Sequence, residues 1–345
     1  MLCSTRPLLF ASFWLGVSAL LDSNAWCQMK RQDPVKSVLA AFDSANLVAL
    51  GERHWAREDS QFRLALVRNP AFAQKVNDIV IEFANPLFQA VLDRFVDGQP
   101  VASEELQHVW RDTTQPGAFD SPVYEEFLST VRAVNAKLAP HGRVRVLAAD
   151  YPINWNAVSS PGELDEPMRG RDRSAATVIQ QQVLDRKRKA LVLFGSGHLY
   201  RNRPETIVDL LKQDSRAKWF IVVPVGGPGL PSLLTANNNA TAGEPALLTL
   251  RGSAVGRLQA ADVFEIGTKR IRTLDGKPVL ENGKPVFIPV FEGDIKVGDL
   301  ADACLYFGGV KPDFVQPPPG LYDRTEYGKE IQRRRSILNL AMLPK

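Results

Sequence analysis

The stretch NLVALGERH, residues 46–54, joins a continuous apolar run to a glycine and three ionisable side chains. A short apolar run that ends in glycine is typical of a buried strand, so we predict a strand over residues 46–52. Residues 56–68 then have the pattern of a helix that stops at Asn69-Pro70. A buried strand that leads into a helix is the repeating unit of α/β proteins.

Four further apolar runs repeat this arrangement along the first two thirds of the chain. We predict strands at residues 78–83, 144–150, 190–194 and 219–225, with helical segments between them. Continuous apolar runs, as opposed to alternating ones, are typical of strands that are buried on both faces. The predicted fold class is therefore α/β, with a mainly parallel sheet covered by helices on both faces.

The pattern changes after residue 230. Asp275-Gly276 and Asn282-Gly283 are turn signals, which predict a β-hairpin within residues 270–292. Residues 324–338 have the pattern of a closing helix. We therefore predict an α/β core domain over residues 33–230, which holds the site, and a C-terminal extension over residues 231–345 packed on that core.

The first 25 residues have the layout of a secretory signal peptide. Arg6 precedes an uncharged apolar run over residues 7–21, and small residues lead to Ala25. The run is shorter than the roughly 20 residues of a membrane span. A lipoprotein signal peptidase expects a small residue before the cysteine that becomes lipid-modified. The residue before Cys27 is the bulky Trp26, so we do not expect Cys27 to carry a lipid. We therefore expect cleavage near Ala25 and export of the mature protein to the periplasm or the medium. The mature chain is expected to have no transmembrane span. The alternative is an uncleaved N-terminal anchor.

Composition and missing motifs exclude several classes of function. The 42 Lys and Arg against 38 Asp and Glu leave a net charge of +4, and without a basic stripe this argues against a nucleic-acid partner. The sequence has no CxxC motif, so it indicates neither a zinc ribbon nor a thioredoxin-type redox pair. The sequence also lacks a P-loop, a GxSxG nucleophile elbow and an HExxH motif.

Ionisable side chains follow the first four predicted strands at the point where each strand ends. Parallel sheets bind ligands beyond the carboxyl ends of their strands, and unpaired carboxylates are costly to bury. These side chains are therefore expected in one crevice, with Asn85 beside them. The residues are Glu52 and His54, Glu82, Asp150, and His198.

This set supports general acid–base catalysis or metal binding. A histidine would activate water near neutral pH, and a glutamate would orient its ring. Alternatively, the four predicted catalytic residues would bind a divalent metal ion together with a water molecule; these are Glu52, His54, Glu82 and His198. Taken singly, each is also compatible with a structural role, as a helix cap, an ion-pair partner or a satisfied core histidine.

Four motifs, in their order and at strand ends, resemble the superfamily that joins erythromycin esterases, ChaN-like haem-uptake proteins and Tiki/TraB-type proteins. They are Gly51-Glu52-Arg53-His54, Glu82-Phe83-Ala84-Asn85, Arg171-Asp172 and Gly195-Ser196-Gly197-His198. The resemblance implies an α/β fold with a polar site, and it adds Arg171 and Asp172 to that site. Glu58 matches an acidic position of the esterase branch. The predicted substrate-binding residues are thus Arg171, Asp172, Asp150, Asn85 and Glu58.

The spacing from Glu52 to His54 is the shorter one of the ChaN and Tiki branches, which argues against macrolide ester cleavage. Two functions follow from the resemblance. One is an exported hydrolase that uses water as nucleophile on a small molecule or peptide. The other is a haem- or iron-binding uptake protein, in which Tyr151, Tyr200 or a histidine is the axial ligand. A catalytically inactive scaffold is the third alternative.

Overall fold

A computed structural model describes residues 33–225, 245–263, 268–270, 280–281, 284–285, 287–289, 294–308, 310–323, 325–338 and 340. The predicted signal peptide, residues 1–25, lies outside the described residues. So do parts of the predicted hairpin region 270–292. No helix in the described ranges is long and apolar enough to cross a membrane.

The strands confirm the predicted α/β fold class. The strands of the described residues are β1 (Leu47–Glu52), β2 (Asp78–Ile81), β3 (Arg145–Ala148), β4 (Ala190–Gly195), β5 (Trp219–Val225), β6 (Ala246–Thr249), β7 (Thr268–Arg270), β8 (Leu280–Glu281), β9 (Lys284–Pro285), β10 (Phe287–Pro289) and β11 (Ala303–Tyr306). Seven of them form one sheet in the order β3-β2-β4-β1-β5-β11-β6, in which only β6 runs antiparallel to its neighbour. The pairs β7–β10 and β8–β9 are antiparallel and separate from that sheet.

The helices of the described residues lie between these strands. They are α1 (Pro34–Ala41), α2 (Arg57–Arg68), α3 (Phe72–Lys75), α4 (Gln89–Val96), α5 (Ser103–Arg111), α6 (Pro122–Asn135), α7 (Asp165–Arg169), α8 (Arg171–Ile179), α9 (Ile207–Leu210), α10 (Ala260–Val263), α11 (Val297–Leu300) and α12 (Glu326–Ile337). One π-helical turn, Gln180–Leu184, follows α8.

Both faces of the sheet are covered, as the continuous apolar runs predicted. All six residues of β1 are buried. Because side chains alternate along a strand, Val48 and Leu50 belong to the core on one face, which α2 and α6 cover. Leu47 and Ala49 belong to the core on the other face, which α8 and α9 cover.

A side-chain amide occupies the open edge of the sheet at β3. Nε2 of Gln89 donates to the carbonyl oxygen of Val146 at 2.8 Å, and the backbone N–H of Ala148 donates to Oε1 of Gln89 at 2.7 Å. Unpaired edge groups invite pairing with another chain, so Gln89, in α4, stabilises the edge strand by imitating a neighbouring backbone.

The C-terminal extension contains the predicted hairpin, as β8 and β9, and the predicted closing helix, as α12. The sheet crosses the predicted boundary at residue 230, because β6 and β11 are two of its seven strands. Neither strand was predicted. The division into a core and an extension stays a prediction.

Candidate functional site

The carboxyl ends of four adjacent strands carry the candidate site. Glu52 is paired in register with Gly195 on β4, and Ile81 of β2 lies opposite Leu193 of the same strand. Because neighbouring parallel strands end at the same edge, the residues at or just after these ends are brought together. The sequence-based expectation of a common crevice therefore rests on strands that are adjacent in space.

Glu52 and His54 form the first carboxylate–imidazole pair. Nδ1 of His54 lies 2.6 Å from Oε1 of Glu52. Glu52 is 5% exposed and ends a buried strand, whereas the His54 side chain is 34% exposed. The carboxylate accepts the Nδ1–H bond, which sets the tautomer and turns Nε2 away from Glu52.

Two side chains behind the strand hold Glu52 in place. The buried guanidinium of Arg63, on α2, forms an ion pair with Oε2 of Glu52. The hydroxyl of Tyr124, on α6, donates to Oε1 at 3.1 Å. Burial lowers the pKa of Arg63 to about 10, so the guanidinium keeps its charge at neutral pH. Burial also raises the pKa of the Tyr124 phenol well above its ordinary value, and Tyr124 acts as a donor.

Asp172 and His198 form a second pair of the same kind. Asp172 lies in the first turn of α8, and its Oδ1 makes a short hydrogen bond with Nδ1 of His198. His198 ends the 3₁₀ turn Ser196–His198 that follows β4. This contact brings together two residues that the resemblance assigned to the site.

The two imidazoles face one carboxylate from two sides. Nε2 of His54 lies 3.9 Å from Oε2 of Glu82, and Nε2 of His198 lies 3.5 Å from Oε1. Glu82 is fully buried, just beyond the end of β2. The site therefore consists of two carboxylate–histidine pairs that converge on a third carboxylate.

Three donors anchor Glu82. The backbone N–H of Gly195 donates to Oε2 at 2.6 Å. Arg171 and Gln115 donate to Oε1 at 2.5 Å and 3.1 Å. Burial acts to raise the pKa of Glu82, but the charges of the two histidines and Arg171, with the Gly195 amide, outweigh it and hold that pKa well below its usual range. Glu82 is thus a fixed negative charge.

Arg171 bridges Glu82 and Asp150. Its Nε donates to Oδ1 of Asp150 at 3.0 Å, and Thr114 donates to the same carboxylate through its backbone N–H and its hydroxyl. Burial raises the pKa of Asp150 in spite of these donors. The guanidinium, 11% exposed, bonds two buried carboxylates. The contacts of Arg171 are thus ion pairs with two buried carboxylates, and its substrate-binding role stays a prediction.

Two other predicted substrate-binding residues contact different parts of the chain. The amide of Asn85 donates to the carbonyl oxygens of Asp112 and Ile153, and its oxygen accepts from the N–H of Leu87. The carboxylate of Glu58 accepts from the N–H of Asp313 at 3.3 Å. Neither side chain has a described contact with the Glu82 cluster, and their substrate-binding role stays a prediction.

Gly195 and two aromatic side chains line the space around the two histidines. A Cβ atom on Gly195 would lie 3.3 Å from Nε2 of His54 and 3.4 Å from Oε2 of Glu82, so a larger residue would crowd both groups. The ring of Phe119 meets the His54 ring edge to face at a centroid distance of 5.4 Å. Phe194 lies 6.0 Å from the His198 ring. Each imidazole therefore packs against one phenylalanine ring.

Three of the site residues lie close enough together to hold a divalent metal ion. Ligand atoms of Glu52, His54 and Glu82 all lie within 4.8 Å of one another, and both imidazole nitrogens and carboxylate oxygens bind zinc in proteins. However, Arg63 already pairs with Glu52 and Arg171 with Glu82. Two guanidinium groups beside the carboxylates oppose a further divalent charge. The distances between the ligand atoms therefore suit a metal ion, but the two carboxylates already have their charges balanced by arginines.

Sequence reasoning missed several residues that build the site. Arg63 and Tyr124 lie on helices, and the sequence did not show which face of each helix packs against the sheet. The one available indication for Arg63 was a charged residue between the apolar Phe62 and Leu64 of α2. The others belong to the loop between α5 and α6, whose Thr-Thr-Gln-Pro-Gly composition indicates only a turn. These loop residues are Thr114, Gln115 and Phe119.

No family model matches the chain, and no curated protein matches its sequence. A solved succinoglycan biosynthesis protein has a TM-score of 0.51 at 10% identity, over 82% of this chain and 92% of that one. A mutant of erythromycin esterase EreC in its open conformation has a TM-score of 0.50 at 12% identity, over 81% and 94%. Haem-bound ChaN of Campylobacter jejuni has a TM-score of 0.35 at 18% identity, over 56% and 86%.

The chain therefore shares its α/β fold with the erythromycin esterase and the succinoglycan biosynthesis protein. The α/β fold that the four-motif resemblance implied is thus confirmed. The choice between the esterase and ChaN branches stays a prediction.

Proposed function

We propose that this chain, which has the fold of an erythromycin esterase, is an exported hydrolase in which His54 activates water. One observation carries the proposal: Nδ1 of His54 is fixed by Glu52 at 2.6 Å, which directs Nε2 toward Glu82 and the crevice. A carboxylate-oriented imidazole is the arrangement of a general base that works near neutral pH.

The proton would move from water to Nε2 of His54 as the water attacks the substrate. The resulting imidazolium lies between Glu52 and Glu82, and both carboxylates stabilise its charge. Glu82 keeps its negative charge throughout, because its pKa is held well below the usual range. Hydrolysis also requires a proton for the leaving group. We assign that donation to Nε2 of His198 in its imidazolium form, whose Nδ1 is held by Asp172. After turnover, His54 loses its proton to solvent and His198 regains one, which restores both rings.

Water is the nucleophile in this proposal because the nearby serine is otherwise engaged. Ser196 is buried, and its hydroxyl makes a hydrogen bond with Tyr200. A Cβ atom on Gly51 would lie 2.5 Å from Oγ of Ser196, so the hydroxyl packs against the β1 backbone. A serine nucleophile needs a base within hydrogen-bond reach, and none of the described contacts joins Ser196 to either histidine.

We further propose that the reaction does not depend on a metal ion. The ion pairs of Arg63 with Glu52 and of Arg171 with Glu82 supply the positive charge that a metal ion would bring. If a divalent ion were bound, Glu52, His54 and Glu82 would hold it, and it would supply a water molecule of lowered pKa.

The test is a panel of carboxylic esters, phosphate esters and peptides, offered to the purified protein before and after exhaustive chelation. Turnover that survives chelation supports both parts of the proposal. Turnover that disappears on chelation and returns with added zinc contradicts the metal-independent mechanism. Complete inactivity toward all three classes of substrate contradicts the hydrolase.

Haem or iron binding in the same crevice is the alternative function that the sequence left open. Tyr200, one of the candidate axial ligands, is 2% exposed, and burial raises the pKa of its phenol well above the ordinary value. An axial tyrosinate needs access to the iron and loss of its proton, so this environment argues against Tyr200. A Soret shift on addition of haemin that is lost on substitution of Tyr151 or His54 would favour haem binding over the hydrolase.

Export remains part of the proposal, supported by the layout of residues 1–25. N-terminal sequencing of protein recovered from the cell envelope or the culture medium is expected to begin near Trp26. Recovery of intact Met1 in the cytosol would contradict export.

A further inference from the structure

The residue that follows His54 has an unusual backbone conformation. Trp55 has φ +70°, in the left-handed region that favours glycine. A bulky side chain adopts this conformation only where its surroundings impose it, and such strained positions cluster at functional sites. The strain lies directly beside the proposed general base.

Two hydrogen bonds hold Trp55 in this conformation. Its indole N–H donates to the carbonyl oxygen of Ala118 at 2.5 Å. Its own carbonyl oxygen accepts from the backbone N–H of Val315 at 2.9 Å. The partners come from the loop between α5 and α6 and from the C-terminal region, so two distant parts of the chain fix one turn.

Residues Asp313, Phe314 and Val315, which we call the C-terminal strap, extend this contact along the start of α2. The backbone N–H of Arg57 donates to the carbonyl oxygen of Asp313 at 2.8 Å, and Nε of Arg57 donates to its carboxylate at 2.6 Å. Ala56 forms an antiparallel bridge with Phe314. The strap therefore pairs with the chain immediately after Trp55.

The strap, the turn that contains Tyr322 and helix α12 also hold the loop that carries Phe119. The hydroxyl of Ser121 donates to the carbonyl oxygen of Val315 at 2.7 Å. The carboxylate of Asp120 accepts from the hydroxyls of Tyr322 and Tyr327, at 2.7 Å and 2.8 Å. Phe119 is thereby held where its ring meets the ring of His54.

We propose that Trp55, clasped by Ala118 and the C-terminal strap, is a positioning residue that sets the orientation of the His54 imidazole toward Glu82. This inference rests on the proposed function for the role of His54. It gives residues 313–315, outside the four sequence motifs, a part in catalysis. The physical basis is that a displacement of about 1 Å in a catalytic group is enough to cost about 100-fold in rate.

The test compares Trp55→Phe with Trp155→Phe. Both substitutions keep an aromatic ring and remove one indole hydrogen bond to a backbone carbonyl, since Nε1 of Trp155 donates to Thr113 at 2.9 Å. Trp155→Phe is thus the control for the cost of a lost indole bond. Trp55→Gly is a second variant, in which glycine favours the left-handed conformation and the side-chain contact with Ala118 is lost, while the backbone bond from Val315 remains available. Circular dichroism establishes that each variant is folded.

The first readout does not depend on turnover. The proton on Nδ1 of His54, held between two heavy atoms 2.6 Å apart, is expected to give a low-field proton NMR resonance that His54→Gln removes. We expect Trp55→Phe and Trp55→Gly to shift or broaden it and Trp155→Phe to leave it unchanged. A resonance that is identical in all three variants overturns the inference, whatever the outcome of the hydrolase panel.

The second readout is kinetic. On any substrate that the panel identifies, Trp55→Phe is expected to lower kcat by about 10- to 100-fold with KM within twofold, because His54 would be misplaced while the substrate still binds. A rise in KM at unchanged kcat would overturn the positioning role. If His54→Gln keeps full activity, the proposed function fails, and the NMR comparison still decides whether Trp55 orients the imidazole.

Discussion

Nδ1 of His54 lies 2.6 Å from Oε1 of Glu52, a residue that ends a strand buried along its whole length. The imidazole is therefore oriented by a buried strand inside the seven-stranded sheet, although its own side chain is partly open to solvent. Arg63 and Tyr124 fix the carboxylate from behind. A base mounted in this way is pre-organised for proton transfer.

The substitution Glu52→Gln tests whether the carboxylate of Glu52 is needed for catalysis by His54. The amide oxygen can still accept from Nδ1, but the negative charge that stabilises the imidazolium is lost. We expect kcat to fall by about 100-fold with a small change in KM. The matched control is Glu163→Gln on the surface, where the carboxylate accepts from backbone N–H groups of Ser159 and Ser160. Equal kcat in both variants would contradict the role of Glu52.

The depressed pKa of Glu82 predicts a pH-dependent contribution to stability. The folded chain binds this proton less readily than the unfolded chain, so the contribution is present above the ordinary pKa of 4.5 and is lost as the pH falls toward the folded value. We expect the difference in free energy of unfolding between the protein and Glu82→Gln to shrink from pH 7 to pH 3. Urea denaturation measures it. A difference that grows on acidification would contradict the assignment.

Arg171 is predicted to be required for stability as well as for the site. Its removal leaves Glu82 and Asp150 buried without their cation, and breaking a buried ion pair costs about 3–5 kcal/mol. We expect Arg171→Met to lower the free energy of unfolding by that amount, and addition of Asp150→Asn to restore part of it. If the double variant is as unstable as the sum of the two single changes, the proposed coupling is absent.

The strand ends could be predicted from the sequence because they depend on local patterns. Each apolar run stops where a charged or glycine residue begins, and a parallel sheet then gathers those ends at one edge. Glu52, His54, Glu82 and His198 were found in this way. Arg171 and Asp172 were found through the motif resemblance, and the structure places them against Glu82 and His198.

The groups that support the site could not be predicted, because their partners are set by tertiary packing. Arg63 meets Glu52 only when α2 packs across β1, and Tyr124 only when α6 packs beside α2. Strand β11 was missed for a related reason. It lies beyond residue 230, where the strand–helix alternation that identified the earlier strands stops, and its place between β5 and β6 is set by the tertiary fold.

The most direct test of the central claim is the kcat/KM of His54→Gln on a substrate from the panel, measured beside His141→Gln. His141 lies on an exposed turn and serves as the control for the same chemical change. We predict that His54→Gln lowers kcat/KM by at least about 100-fold, with unchanged circular dichroism, while His141→Gln equals the unsubstituted protein. Equal kcat/KM for the two variants would contradict water activation by His54.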